Sequence, residues 1–152
     1  MVIRPYRSAD CSALAELFYA TVHTVCARDY TPEQLDAWAT GEVDLTAWDA
    51  SFLAHRTLAA VEGETIVGFA DMDGSGYLDR LYVHRDFQRR GVAAALCDAL
   101  EAASAAETLT AHVSRTAKPF LEHRGWRVIR EQTVFRRGVA LTNFVMEKFH
   151  AR

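Results

Sequence analysis

The stretch that most constrains the fold of this 152-residue chain runs from Tyr77 to Ser104. Tyr77 to His84 reads as a strand, Arg85 to Arg90 as a polar loop, and Gly91 opens an Ala- and Leu-rich helix ending near Ser104. The first N–H groups of a helix have no partner within it, and its dipole places partial positive charge there. Small residues after Gly91 let an anion approach those groups, and Arg89 and Arg90 add formal charge. The segment is either a cradle for a pyrophosphate or a plain strand–loop–helix whose glycine serves the turn. A Walker loop is excluded, because no Gly-Lys-Ser/Thr occurs. A dinucleotide fingerprint is excluded too, because one glycine stands where three are needed.

The flanking pattern fills in one domain spanning residues 1–152, without repeat or linker. Ile3 to Tyr6 is a strand. Ser8 is the expected N-cap of a helix running to about Val25, with Leu14, Leu17, Phe18 and Val22 on one apolar face. Thr31-Pro32-Glu33-Gln34 combines a capping residue, a proline at the first helical position and a glutamine that reaches back. A further helix opens at Thr46 and ends near His55. Thr57–Val61 and Thr65–Ala70 form a hairpin, and the strand from Tyr77 completes a meander. Leu109–Val113 is a strand, Lys118–His123 a short helix stopped by Gly125, and Trp126–Phe135 and Ala140–Phe149 close the chain around Arg137-Gly138. This order predicts an α+β fold: a mixed, mostly antiparallel sheet of about six to seven strands with helices on both faces.

Half of the residues are hydrophobic, which suffices for a core without disulfide or metal. The net charge of −3 and the absence of a dense basic patch give nucleic-acid binding no support. Cys11, Cys26 and Cys97 are odd in number and lack CxxC spacing, so reduced, buried thiols are expected. No signal-peptide pattern and no apolar run long enough to span a membrane occur, so a cytoplasmic location without membrane contact is expected.

Gln88-Arg89-Arg90-Gly91-Val92-Ala93 resembles the Gln/Arg-x-x-Gly-x-Gly/Ala signature of the GNAT N-acetyltransferase superfamily, with Ala93 in place of the second glycine. Leu81-Tyr82-Val83 looks like the strand end that feeds this motif. Ala117 to Trp126 resembles the family's second helix-to-strand signature. The resemblance covers nearly the whole chain and implies acetyl transfer from acetyl-CoA to a primary amine of a small molecule or peptide, in a ternary complex and with no metal. It also implies that the strands Tyr77–His84 and Leu109–Val113 splay apart, with the pantetheine arm of the cofactor lying between them against the backbone of Leu81 and Val83. Gln88, Arg89, Arg90, Gly91, Val92, Ala93 and Ala94 would then hold the pyrophosphate, and Thr116 and Phe120 would flank the arm. The resemblance leaves room for a homodimer.

Such a transfer needs a base to free the amine, donors to polarise the thioester carbonyl, and a proton for the departing thiolate. Asp79, in the strand carrying the thioester, is the first choice for the base, with Asp71 and Asp73 behind it. The structural alternative is an ion-paired strand aspartate. Where many members of the family have a tyrosine acid, this chain has Leu121. Tyr82, Ser114 and Tyr77 are the nearest replacements, with water as the remaining donor. The early helices usually flank the acceptor in this fold, which nominates Tyr19, His23, Tyr30 and Trp38 for its pocket. A non-catalytic acyl-CoA-binding regulatory module is the rival reading, since it would keep the cradle and lose the proton chemistry.

Overall fold

A computed structural model describes residues 1–150. Seven strands form one sheet in the order β1-β2-β3-β4-β5-β7-β6. They are β1 (Val2–Pro5), β2 (Arg56–Glu62), β3 (Thr65–Met72), β4 (Tyr77–Val83), β5 (Thr108–Ser114), β6 (Arg127–Arg136) and β7 (Val139–Phe149). Every neighbouring pair is antiparallel except β4 and β5, which run parallel. Five helices cover the sheet: α1 (Cys11–Thr24), α2 (Pro32–Trp38), α3 (Leu45–Ala54), α4 (Val92–Ala103) and α5 (Lys118–His123). The expected mixed sheet with helices on both faces is the fold observed.

The sheet separates two cores. Leu14, Leu17, Phe18 and Val22 of α1 pack with Leu35, Phe52 and Phe69 on one face. Val92, Leu96 and Leu100 of α4 pack with Val67, Leu109, Ala111, Val113 and Leu121 on the other. The α1 stripe is the one its 3.6-residue spacing announces. Gly68 lets α4 lie this close to β3, because a Cβ there would sit 2.9 Å from Cγ1 of Val92. The α2 capping box forms as its sequence specifies: Thr31 Oγ1 accepts from the Gln34 N–H at 3.2 Å, and Gln34 Oε1 accepts from the Thr31 N–H at 2.9 Å.

Ser8 is not the cap of α1. Residues Ser8–Asp10 form a 3-10 turn first. Asp10 accepts from the Arg7 N–H at 2.9 Å and takes both arms of the Arg4 guanidinium at 2.8 and 2.9 Å. The Asp10 and Cys11 N–H groups that a Ser8 cap would take donate to the Arg7 and Ser8 carbonyls, and the Ser8 hydroxyl donates to Asp49 instead at 3.1 Å. Arg4 holds the Asp10 carboxyl below the ordinary carboxylate range.

Candidate active site

The pairing of β4 with β5 covers only Tyr77 opposite Thr110 and Leu78 opposite Ala111. Past Leu78 the two strands part. His84 N–H donates to the Val67 carbonyl on the β3 side at 2.8 Å. By the two-residue repeat of a strand, the peptide groups of Leu81 and Val83 therefore turn toward the gap. The gap opens into a cleft of about 790 Å³ that continues between the helices on the α1 face. The splay expected on the Leu81–Val83 edge is present.

One end of the cleft is the start of α4. Gly91 is its N-cap at φ +80°, and Arg89 is also left-handed at φ +61°. No side chain caps the helix, and the first bond of its ladder runs from the Ala95 N–H to the Gly91 carbonyl. The N–H groups of Gly91, Val92, Ala93 and Ala94 thus lack partners within the helix. A Cβ built at Gly91 would meet nothing within 4 Å, so the space before the helix is open. Alternating left-handed residues before a helix turn successive N–H groups inward, a geometry suited to phosphate oxygens.

Two members of the expected cradle act otherwise. The Gln88 side-chain amide lines the cleft but donates to the Val83 carbonyl at 2.6 Å, so it fixes the strand end. Arg90 does not line the cleft; its guanidinium lies 5.2 Å from the Phe87 ring centre. Arg89, Gly91, Val92, Ala93, Ala94 and Phe120 do line it. Thr116 lines it as well, but its hydroxyl donates to Asp29 at 2.7 Å.

Asp79 occupies a β-bulge. Arg80 pairs with Asp71 and Leu78 with Met72, so Asp79 is the extra residue of β4. A bulge re-aims its side chains, and here it turns a carboxylate into the cleft. Behind it lies a charge cluster. Asp71, fully buried, takes Nε and a terminal nitrogen of Arg80 at 3.1 and 2.5 Å and Nδ1 of His55 at 2.8 Å. Asp79 stands 3.9 Å from His55 Nδ1 and 3.7 Å from Arg80. Burial raises the Asp79 carboxyl above its ordinary range, and the charge of Asp71 raises it further against the pull of Arg80 and His55. Asp71 itself is sealed from the cleft, and Asp73 is spent on Ser75 and the Tyr77 N–H. Pattern reading did not find His55. A polar residue at the end of α3 carried no signal until the sheet register set it beside Asp71.

The other nominated residues separate. Tyr82 sits on the α1 face with ring centres 5.0 Å from Phe18, 5.5 Å from Phe69 and 6.5 Å from Trp38, and burial holds its phenol above the ordinary value. Ser114 accepts from the Ala117 N–H at 3.1 Å and so shapes the turn into α5. Tyr30 lines the cleft, but both functions of its hydroxyl are used: it donates to the Thr142 carbonyl at 2.8 Å and accepts from the Arg115 N–H at 2.9 Å. Trp38 lines the cleft.

Tyr19 and His23 do not. They stack on each other with ring centres 4.2 Å apart, and His23 bonds the Ala39 carbonyl at 2.7 Å. Once Phe18 and Val22 face the core, their neighbours one residue on must turn away from it. Leu121 is 1 % exposed and belongs to the core beneath α5. Cys11, Cys26 and Cys97 are free and buried, and desolvation pushes the Cys26 thiol up to about 11. No helix among the described residues is long and apolar enough to cross a membrane.

Residues 26–148 match the family described as the acetyltransferase (GNAT) domain. An uncharacterized N-acetyltransferase of Escherichia coli K12, YafP, is 34% identical over 144 residues, which are 95% of this chain and 93% of that protein. The crystal structure of a GCN5-related N-acetyltransferase from Rhodopseudomonas palustris superposes with a TM-score of 0.93 at 35% identity, covering 97% of this chain and 94% of that one. The PaiA N-acetyltransferase of Thermoplasma acidophilum, solved with coenzyme A, shares the fold at a TM-score of 0.80 and 19% identity, over 97% of this chain and 98% of that one. A sheet that parts beside an uncapped helix start, a match over most of the chain and these relatives agree: the chain belongs to the GNAT family of acetyltransferases.

Proposed function

We propose that the protein transfers the acetyl group of acetyl-CoA to a primary amine, with Asp79 as the base. The observation that carries this reading is that the parted strands, the open N-terminus of α4 and the Asp79 bulge share one cleft. The residues present fit the donor. The N–H groups from Gly91 to Ala94 would take the diphosphate, with Arg89 beside them. The free edge of β4 at Leu81 and Val83 would pair with the pantetheine amides as a strand would. Bound there, acetyl-CoA supplies an activated acyl group on a thiolate leaving group.

The chain's own residues supply the rest. An amine arrives protonated, and Asp79 takes one proton, directly or through a water. The nitrogen lone pair then forms the N–C bond while the C–S bond breaks and its electrons leave on sulfur. The second proton shed by the nitrogen balances the thiolate, so each turnover releases an amide, a thiol and one proton. The raised Asp79 carboxyl suits it to accept a proton nearer neutrality than an exposed aspartate would. Tyr82 is a poor acid because burial makes its phenol hold its proton. Tyr77 and Ser114 also line the cleft, so the proton for the sulfur comes from one of these hydroxyls or from water.

Two variants test the reading. Gly91→Glu places a carboxylate before the helix start, and calorimetry should show acetyl-CoA binding lost while circular dichroism stays native. Asp79→Asn should keep that binding and lower kcat by about a hundredfold or more, the range for a positioned base. Tight cofactor binding with no turnover of any amine by the parent protein would favour a binding module instead.

A further inference from the structure

The acceptor end of the cleft has an unusual charge balance. Among the described residues lining the whole cleft, Asp79 is the only carboxylate, whereas Arg28, Arg80, Arg89 and Arg136 are cationic. Arg89 stands at the α4 end with the phosphate site, and Arg28 is paired with Asp29 at 3.3 Å. Arg80 is spent on Asp71 and Ser51 and lies flat on Phe52, 4.1 Å from its ring centre. Arg136 has no carboxylate partner among the described residues; the one hydrogen bond of its side chain goes to the Phe135 carbonyl at 3.2 Å. Arg136 lines the same cleft as Asp79 and Tyr77.

The walls of this cleft are largely aromatic. Phe18, Trp38, Trp48 and Tyr82 line this end, with Phe18 5.2 Å from Trp48 and 5.0 Å from Tyr82. Val134 and Leu141 complete it from β6 and β7. A polyamine or aminoglycoside brings several ammonium groups, and each needs a carboxylate or water to replace its hydration. Here one carboxylate is present and engaged as the base; the aromatic faces can take a cation weakly, but the unpaired charge of Arg136 repels a second ammonium. A single ammonium on a flat apolar body meets no such penalty, and an anionic group on that body would find Arg136 unpaired.

We infer that the acceptor is a monoamine on an aromatic body that also carries a carboxylate, as an aromatic α-amino acid does. Its ammonium lies at Asp79, its ring among Phe18, Trp38 and Trp48, and its carboxylate at Arg136. This inference rests on the acetyl-transfer reading above, and the two fail in different measurements.

The test is coenzyme A thiol release with phenylalanine, tryptophan, phenethylamine, spermidine and kanamycin under matched conditions. Phenylalanine or tryptophan should exceed spermidine and kanamycin in kcat/KM by at least about tenfold. Arg136→Gln should reduce the preference for phenylalanine over phenethylamine by about tenfold through KM, with acetyl-CoA affinity as a control. Equal or better turnover of spermidine or kanamycin overturns the inference, and so does an unchanged phenylalanine preference in Arg136→Gln. If no acceptor turns over, calorimetry of the same five compounds on the coenzyme A complex decides by the same ordering. Loss of the acetyl-transfer reading would show separately, as failure of the parent protein to bind acetyl-CoA or to turn over any amine in a broad panel.

Discussion

Asp71→Asn should move the acid limb of the kcat/KM profile to lower pH by about one unit. The ligand atoms of His55, Asp71 and Asp79 all lie within 4.8 Å of one another, so two carboxylates face each other closely. At that separation two unit charges interact by roughly 3 kcal/mol at an effective dielectric of about 20, and by under about 1 kcal/mol in water. The Asp79 side chain is 36% exposed, so solvent screening brings the figure to about 1–1.5 kcal/mol, or about one pH unit. The sign follows from the charges. Asp71 disfavours a second negative charge and so raises the Asp79 carboxyl. Removing it favours the carboxylate, and it also releases Arg80 to attract Asp79, which acts in the same direction. With Asp79 as the base proposed above, the active form carries the carboxylate, so activity should then survive to lower pH. His55→Asn keeps a donor for Asp71 but loses a group able to carry positive charge beside Asp79, and the limb should move up. The remaining charged and titratable neighbours, Asp73, Arg80, Tyr77 and Tyr82, are common to both variants. Thiol release measured between about pH 5 and 9, beside thermal melts of each variant, reads the effect. A purely structural cluster would lower the plateau and the melting temperature and leave both limbs in place. That result, or an upward shift in Asp71→Asn, refutes the argument.

Leu121→Tyr enlarges a buried side chain that also lines the cleft, so urea unfolding should show a loss of about 1–3 kcal/mol, and steady-state assays should show no gain in rate. Tyr82→Phe and Ser114→Ala should each retain kcat within a fewfold in steady-state assays; a loss of about a hundredfold in either would restore a side-chain acid. Asp10→Asn should cost about 1–3 kcal/mol at neutral pH, the worth of hydrogen bonds to a charged group. Because Arg4 lowers the folded Asp10 carboxyl, that stability is present above the unfolded value near ~3.9 and is lost as pH falls through the lower folded one. Denaturation curves of the two proteins should converge there.

The elements that could be read from the chain are those whose signals are local. The Thr31–Gln34 capping box, the α1 apolar stripe and the two-residue Arg137-Gly138 hairpin each place their partners within a few positions, and each formed. Local reading fails where two local solutions compete, as at Ser8, where the N–H groups its hydroxyl would cap are given to the Arg7 and Ser8 carbonyls of a 3-10 turn. It fails more widely where a partner is distant. The Tyr30 hydroxyl meets Thr142 across 112 positions, and Thr116 meets Asp29 across 87. Nothing near Tyr30 or Thr116 announces that those hydroxyls are already engaged. The bulge at Asp79 is likewise a property of the register between β3 and β4, and neither strand alone encodes it.

The two ends of the cleft therefore differ in what they ask of the sequence. The donor end is built from peptide groups: the free edge of β4, the unpaired N–H groups at the start of α4, and a left-handed glycine. Side chains matter there chiefly by being absent, which compresses the requirement into a few consecutive residues around Gly91 and makes it legible as a motif. The acceptor end is built from side chains on α1, α2, α3, β4, β6 and β7, each anchored in its own element. Trp38, Trp48 and Arg136 lie outside the fully buried core, whereas Phe18 and Leu141 belong to it. Acceptor choice can change by exchanging these walls while the donor end and Asp79 stay fixed. That separation is why the donor cradle resembles a motif in one short stretch of sequence, while the proposed acceptor site rests on Arg136, Asp79 and aromatic walls that only the fold brings together.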